Sequence, residues 1–193
     1  MLKLYGSTTS PFVRRLRMWL ANSEHQFINL QIFDGPDREI LAKRNPTLKI
    51  PMIEDGDEVI FDSRVIYRYL TQKFAFPSPS WEQENQLTLI DAATDSLVQM
   101  LLLGRSDIDT SEDKMYFTLQ RERVDSTLGH LNELVKQGHF ADWHYPAICL
   151  YSLIDWIEFR TLHDLQNMDG LLAFHQANEQ RIEATATNPR NEA

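Results

Sequence analysis

Residues 45–53 of the chain read NPTLKIPMI, and residues 59–70 read VIFDSRVIYRYL. Pro51 precedes a short apolar strand, and an X-Pro bond is the one peptide bond for which the cis form costs little free energy. A cis bond at this point would turn the backbone of Ile50 outward, where it can pair with the backbone of a peptide-like ligand. The first segment therefore predicts a binding surface made largely of backbone groups.

The residues after this strand predict a hairpin and then a helix. Asp55-Gly56 is a turn signal between two apolar runs, which is the pattern of a β-hairpin. Ser63 is predicted to cap the helix that follows, so the free amides at its N-terminus would attract a carboxylate. An ordinary capped helix after a hairpin is the alternative interpretation. The order of the parts favours a binding site.

Composition and charge exclude several classes of partner. The 193 residues carry a net charge of −9 and a pI near 5.1, which argues against nucleic acid and anionic membranes as partners. A single cysteine, Cys149, excludes an intrachain disulfide and a cysteine-based metal cluster. The six histidines lack metal-ligand spacing, so no metal is expected. Without a leader or an apolar run of about 20 residues, we expect a cytoplasmic protein.

The hydrophobic pattern divides the chain into two predicted domains. Residues 1–75 give the order βαβαββα, and residues 76–80, which read FPSPS, are a predicted linker because proline cannot continue regular structure. Residues 81–193 are predicted to be all helical. The predicted helices span residues 81–104, 111–137, 144–160 and 170–184, and the last nine residues are expected to form a frayed tail.

These features together resemble the cytosolic glutathione transferase superfamily over essentially the whole chain. Residues 4–17, which read LYGSTTSPFVRRLR, are similar to its serine-type and omega-like branches and to bacterial transferase-like proteins. The resemblance implies an α/β plus all-α fold, with an N-terminal thioredoxin-like βαβαββα domain and a C-terminal helical bundle. It also implies a detoxifying bacterial enzyme that forms a homodimer.

The resemblance assigns a glutathione site. It implies that Ile50 pairs by backbone with the cysteinyl part of glutathione and that Lys49 reaches the glycyl carboxylate. Asp62 and Ser63 would hold the γ-glutamyl end, and Asp95 on the helix after the linker would reach the γ-glutamyl amine across the dimer interface. A solvent-exposed helical aspartate is the alternative role for Asp95. The predicted glutathione-binding residues are Phe12, Lys49, Ile50, Pro51, Asp62, Ser63 and Asp95.

The catalytic prediction centres on Ser10. The thiolate of glutathione is the nucleophile, so an enzyme must stabilise the anion. Ser10 precedes Pro11 and is predicted at a helix N-terminus, where its hydroxyl can donate to sulfur while the helix dipole adds a favourable field. Thr9 remains the alternative donor, and simple capping remains the alternative role of Ser10. Tyr5 is predicted to be a packing residue.

Omega and glutaredoxin-like members have cysteine where this chain has Ser10, and a serine hydroxyl cannot exchange with disulfides. Conjugation of glutathione to a small hydrophobic electrophile is therefore the predicted reaction, with glutathione as co-substrate. Phe12, Met100 and Arg105 are candidates for the electrophile pocket. The alternatives are a ligand carrier, a lyase or a peroxidase, and a regulator of the stringent-starvation type that binds RNA polymerase. The Pro-His-Pro element of those regulators lacks its histidine here, since residues 76–79 read FPSP.

Overall fold

The computed structural model describes residues 1–191 and contains one mixed sheet. The first seven elements are β1 (Leu2–Gly6), α1 (Pro11–Trp19), β2 (His25–Asn29), α2 (Gly35–Arg44), β3 (Met52–Asp55), β4 (Glu58–Phe61) and α3 (Ser63–Lys73). The strands lie in the order β2-β1-β3-β4, with β1 parallel to β2 and antiparallel to β3, and with β3 antiparallel to β4. This βαβαββα order confirms the prediction of a thioredoxin-like fold.

The two faces of the sheet follow from the alternation of side chains along β1 and β3. Tyr5 pairs with Met52, and both pack with Leu41 of α2 on one face. Leu4 pairs with Ile53 on the opposite face, where α1 and α3 pack. At the end of β1, a Cβ on Gly6 would lie 2.3 Å from a methyl group of Val13. Glycine therefore allows the first turn of α1 to approach the sheet closely.

Residues 79–180 form a second compact unit of helices. The elements after α3 are α4 (Trp81–Gly104), α5 (Met115–Lys136), α6 (Tyr145–Arg160), α7 (Asp169–Asn178), α8 (Ile182–Ala186) and a 3₁₀ turn at Pro189–Asn191. Helix α6 lies at the centre of the second unit, since every residue from 145 to 157 is buried. Helices α4 and α5 pack on each other, α4 also packs on α6, and α7 packs on both α5 and α6.

The end of the chain differs from the prediction. The single helix expected over residues 170–184 is two helices, α7 and α8, and residues 181–191 group with the first unit. The last two residues of the predicted tail, 192 and 193, lie outside the described residues. The guanidinium of Arg14 on α1 donates to the carbonyl of Ala184 at 3.1 Å and to Oγ1 of Thr187 at 3.3 Å. Thr187 and Pro189 are buried, so they are not part of a frayed tail. The boundary between the first and the second unit lies between residues 78 and 79, which is inside the predicted linker of residues 76–80.

Helix α4, with 24 residues, is by length and composition alone sufficient to pass a test for a membrane-crossing helix. The test is weak for a single helix, because the core helices of soluble proteins pass it as well. Asp91 and Asp95 also lie within this helix.

The N-terminus of α6 is capped by an unexpected side chain. Nδ1 of His144 accepts a hydrogen bond from the backbone N–H of Ala147 at 3.2 Å. Burial lowers the pKa of His144. The unprotonated ring that accepts the bond is thus the favoured form.

This cap should make the stability of the chain depend on pH. Because the pKa of His144 is lower in the folded protein than in the unfolded chain, its contribution is present above the unfolded value and is lost as pH falls through the folded value. Between about pH 7 and pH 5, the wild type should lose about 1 kcal/mol more stability than a His144→Asn variant, whose cap does not titrate. Urea unfolding at both pH values measures the difference. Parallel losses in the two proteins would contradict the role of the cap.

Candidate functional site

The loop before β3 carries three of the predicted binding residues. The Ile50–Pro51 peptide bond is cis, as the sequence suggested, and β3 begins at Met52. Ile50 therefore lies outside the strand ladder and is half-buried, while Lys49 is exposed. Pro51 is buried. The loop places the backbone groups of Ile50 and the side chain of Lys49 directly before the start of β3.

Asn45 holds this loop in place. Its side chain is fully buried, and its Nδ2 donates to the carbonyl of Lys49 at 2.7 Å. Its Oδ1 accepts from the backbone N–H of Thr47 at 3.0 Å and from the Thr47 hydroxyl at 2.7 Å. Leu48, between these residues, has a φ of 57°, a left-handed conformation that costs free energy for a leucine. The bonds of Asn45 maintain that conformation and so fix where Lys49 and Ile50 lie.

The N-terminus of α3 is capped by Asp62 rather than by Ser63. Oδ1 of Asp62 accepts from the backbone N–H of Arg64 at 2.9 Å and from that of Val65 at 3.2 Å. Ser63 is instead the first residue of the helix and is buried. Within residues 1–191, Oδ2 of Asp62 makes no hydrogen bond, and the residue is exposed. Asp62 therefore caps the helix with one oxygen and presents the other to solvent.

Ser10 caps α1 as the sequence predicted. Its Oγ accepts from the backbone N–H of Val13 at a long 3.4 Å, and its side chain is half-buried. A hydroxyl that accepts such a bond keeps its own proton for donation. The catalytic role assigned to Ser10 stays a prediction.

The neighbouring hydroxyls differ from Ser10 in their contacts. Oγ1 of Thr9 lies 3.3 Å from Oγ of Ser7, so these two groups bond to each other. Thr8 is buried, and its backbone N–H donates to Oδ1 of Asn29 at 3.2 Å. Phe12, on the first turn of α1, is half-buried with the guanidinium of Arg15 4.8 Å from its ring centre. Among these side chains, Ser10 is the one at the helix N-terminus.

Tyr5 belongs to a polar network and not to the loop after β1. Its hydroxyl donates to Glu54 at 2.6 Å, and Glu54 also pairs with Arg44 at the end of α2. Burial, followed by the bond to Glu54, raises the pKa of Tyr5 to about 12. Tyr5 is therefore a packing residue that stays protonated. Its network joins β1, β3 and α2 directly before Asn45.

A second network fastens α3 to the sheet. Asp55 at the end of β3 accepts from Tyr69 at 2.6 Å and pairs with Lys73. Lys73, and then Tyr69, hold the pKa of the Asp55 carboxyl below its usual range. The bond to Asp55 raises the pKa of Tyr69 to about 12. These contacts set the direction in which α3 presents its N-terminus.

The second unit contains the other residues discussed from the sequence. Asp95 is exposed on α4, and its role toward a ligand stays a prediction. Cys149 is buried in α6. His175 lies between two carboxylates, with Nε2 3.1 Å from Asp155 and Nδ1 3.6 Å from Glu158. The two carboxylates contact different ring nitrogens of His175, whereas one metal ion binds a single nitrogen of a histidine ring.

The roles of Asn45 and Glu54 were not predicted from the sequence. Asn45-Pro46 is a turn signal at the end of a helix, which hints at the loop but not at the bonds that Asn45 makes. Glu54 occupies a strand position where an acidic residue is uncommon. An acidic side chain there needs a partner, and Arg44 is the basic residue at the end of the preceding helix.

Comparisons with known proteins agree with this architecture. The family described as "Glutathione S-transferase, N-terminal domain" matches residues 4–80. Glutathione S-transferase 4 of Zea mays is 41% identical over 76 residues, which cover 37% of this chain and 34% of the maize protein. The uncharacterized GST-like protein YibF of Escherichia coli is 28% identical over 173 residues, which cover 82% of this chain and 83% of that protein. The chain thus matches about a third of the maize relative and most of the Escherichia coli one.

A solved structure extends the likeness to the whole fold. The crystal structure of a glutathione S-transferase from Methylobacillus flagellatus, with GSH bound, has a TM-score of 0.85 at 23% identity and covers 98% of this chain and 100% of that one. The thioredoxin-like sheet and the helical second unit are those of the glutathione transferase fold. Residues 4–80 thus match the glutathione S-transferase N-terminal domain family, and the chain as a whole is similar to the glutathione transferases in its fold.

Proposed function

We propose that this chain is a serine-type glutathione transferase that conjugates glutathione to a small hydrophobic electrophile. The observation that supports the proposal is that residues 4–80, which match a glutathione S-transferase N-terminal domain, carry the cis Ile50–Pro51 bond, the capped start of α3 and the Ser10 cap of α1. The maize relative is a glutathione S-transferase, and the Methylobacillus flagellatus structure has GSH bound, which supports the proposed ligand.

The donor set of the site suits a tripeptide with charged ends. Ile50 offers backbone groups outside the ladder, suitable for the peptide bond next to the cysteinyl residue. The exposed ammonium group of Lys49 suits the glycyl carboxylate. Oδ2 of Asp62 suits the α-ammonium of the γ-glutamyl end, and Ser63 at the first turn of α3 suits its carboxylate. Phe12 and Pro51 would supply apolar contact.

Ser10 would act on the sulfur. Glutathione supplies the thiol that becomes the nucleophile. The Ser10 hydroxyl donates to the thiolate form, and the amides of the first turn of α1 add the positive field of a helix N-terminus. Lowering the pKa of a thiol by about two units requires roughly 2.7 kcal/mol, which a charged hydrogen bond together with the helix dipole can supply.

The binding half of the proposal is tested by calorimetry with glutathione and two matched variants. Asp62 and Asp34 are both exposed aspartates at helix N-caps, but the Asp34 side chain makes no capping bond. Asp62→Ala should weaken glutathione binding at least tenfold, because it removes the carboxylate that faces the ligand's ammonium group. Asp34→Ala should bind like the wild type. No binding of glutathione by the wild type, or equal affinity in both variants, would refute the site.

The reaction is tested separately by assaying conjugation to chlorodinitrobenzene. Turnover supports the transferase, whereas binding without turnover would favour the ligand-carrier alternative.

We further propose a cytoplasmic, homodimeric bacterial protein with a role in detoxification, in which Asp95 of the partner subunit completes the γ-glutamyl contact. Mass measurement in solution tests the dimer, and an Asp95→Ala variant with unchanged glutathione affinity would remove Asp95 from the site.

A further inference from the structure

Strand β2 ends in an exposed asparagine whose side chain bonds to the segment before α1. Asn29 pairs in register with Gly6, the last residue of β1. The N–H of Leu30 then donates to the carbonyl of Gly6 at 2.8 Å. Beyond that bond, Oδ1 of Asn29 accepts from the backbone N–H of Thr8 at 3.2 Å. A side chain at the end of the sheet is thus bonded to backbone that has already left the sheet.

The segment that this side chain contacts is the tight turn directly before α1. The N–H of Ser10 donates to the carbonyl of Ser7 at 3.1 Å, which closes the turn. The hydroxyls of Ser7 and Thr9 lie 3.3 Å apart. Thr8 is buried, whereas Ser7, Thr9 and Ser10 are half-buried. The bonds within the turn fix its shape, but they do not fix its orientation on the sheet.

Contacts outside the turn set that orientation. Gly6 lies so close to Val13 that a Cβ on the glycine would be 2.3 Å from a methyl group, and this approach places the start of α1 against the end of β1. The bond from Thr8 to Asn29 ties the turn to β2. In sequence, Ser10 lies between Thr8 and Val13. The position of its hydroxyl therefore depends on both contacts.

The close approach at Gly6 also explains why the acceptor comes from another strand. The N–H of Thr8 cannot join the ladder because β1 has ended, and a buried donor without an acceptor costs free energy. A local acceptor for this N–H would be an aspartate or asparagine side chain two residues earlier. Gly6 occupies that position, where Val13 leaves no room for a Cβ. The bond that satisfies Thr8 is therefore made by Asn29, and it fixes the turn relative to the sheet.

We propose that Asn29 is a positioning residue for Ser10 and acts through the backbone of Thr8. The inference rests on the proposed function, in which the Ser10 hydroxyl donates to the thiolate of glutathione. In this role Asn29 itself makes no contact with glutathione. Without its bond, the turn tilts on the sheet while its internal bonds persist. A displacement of about 1 Å can lower a rate about 100-fold, so a small tilt is enough to reduce turnover.

Amide NMR without glutathione tests the positioning step by itself. Asn29→Leu removes the acceptor but keeps a side chain of similar size. The amide of Thr8 should then exchange with solvent about tenfold faster than in the wild type, and the amide signal of Ser10 should shift. Asn29→Asp keeps an acceptor oxygen and should restore both. Unchanged exchange at Thr8 together with an unchanged Ser10 signal in Asn29→Leu would overturn the proposal.

The matched control lies on the same strand. Gln26 is another exposed amide side chain of β2, and it pairs in register with Lys3, away from the turn. Gln26→Leu should leave the exchange of the Thr8 amide and the Ser10 signal as they are in the wild type. If Gln26→Leu changes them as much as Asn29→Leu does, the effect belongs to the strand as a whole and the proposal fails. Asn29 is exposed, so its variants should fold.

Steady-state kinetics with chlorodinitrobenzene tests the consequence for the chemistry. Asn29→Leu should lower kcat about tenfold, while KM for glutathione changes less than about twofold. At saturating glutathione, the rising limb of the pH profile of kcat/KM for chlorodinitrobenzene should move to higher pH, and Asn29→Asp should restore it. A purely structural role would lower the melting temperature of Asn29→Leu without changing kcat or the pH profile of the folded protein, and this result would refute the proposal.

The two experiments separate this inference from the proposed function. If the wild type has no turnover, the transferase is refuted, and the NMR comparison of the wild type with Asn29→Leu still decides whether Asn29 positions the turn. If the wild type turns over and Asn29→Leu has the same kcat, the role of Asn29 is refuted and the transferase stands.

Discussion

Replacing Ser10 with alanine is expected to lower kcat/KM for conjugation roughly 10- to 100-fold, the loss that follows from removing one hydrogen bond to a charged group. The hydroxyl is predicted to donate to the thiolate, so the variant should hold bound glutathione as the thiol at neutral pH. Glutathione affinity below the thiol pKa should change little, since the contacts at Lys49, Ile50 and Asp62 remain. The pH dependence of kcat/KM measures the change in the pKa of the bound thiol. The rising limb of this pH profile should move to higher pH in the variant.

The controls for this variant come from the same loop. Ser10→Thr keeps a hydroxyl and should restore most of the activity. Thr9→Val should have little effect, because the Thr9 hydroxyl bonds to Ser7. The capping bond from Ser10 is long, so its loss should cost about 1 kcal/mol of stability or less. Full activity in Ser10→Ala together with inactivity in Thr9→Val would transfer the role to Thr9.

Replacing Asn45 with alanine should have the largest effect on the binding loop. Three hydrogen bonds of a fully buried side chain are lost, and at about 1 kcal/mol each the free energy of unfolding should fall by about 3 kcal/mol. Leu48 should then leave its left-handed conformation, which displaces Lys49 and Ile50. Chemical denaturation measures the fall in the free energy of unfolding. At a temperature where the variant is folded, glutathione should bind at least tenfold more weakly.

Thr47→Ala is the matched control for Asn45. It removes one bond to the Asn45 side chain from an exposed residue and leaves the bond between Asn45 and the Lys49 carbonyl intact. We expect a loss of about 1 kcal/mol and unchanged glutathione affinity. If Asn45→Ala and Thr47→Ala behave alike, Asn45 does not position the loop.

Local sequence signals predicted the elements around the site because each signal acts over a few residues. Asp55-Gly56 gave the hairpin, with Gly56 at a φ of 64°, and the Ile50–Pro51 bond is cis. The sequence predicted Ser63 as the N-cap of α3, whereas the observed N-cap is the preceding residue, Asp62. Asp62 and Ser63 are both good capping residues, and the positive φ of Asp62 that decides between them is not visible in the sequence.

The features that the sequence did not reveal depend on distant contacts or unusual side chains. The break between α7 and α8 accompanies the bonds of Arg14 to Ala184 and Thr187, more than 160 residues away. Histidine is not among the common capping residues, so the role of His144 could not be expected. The network of Tyr5, Glu54 and Arg44 joins three elements whose register becomes known only from the folded sheet.

The central claim is that glutathione binds to the loop before β3, the start of α3 and the start of α1. Amide NMR during a titration with glutathione tests it most directly. The account predicts saturable shifts of the amide signals of Ser10, Lys49, Ile50 and Ser63. The amide signals of strand β2 should stay unchanged except at Asn29, whose side chain bonds to Thr8. Saturable binding that shifts other amides and leaves these four unchanged would contradict it.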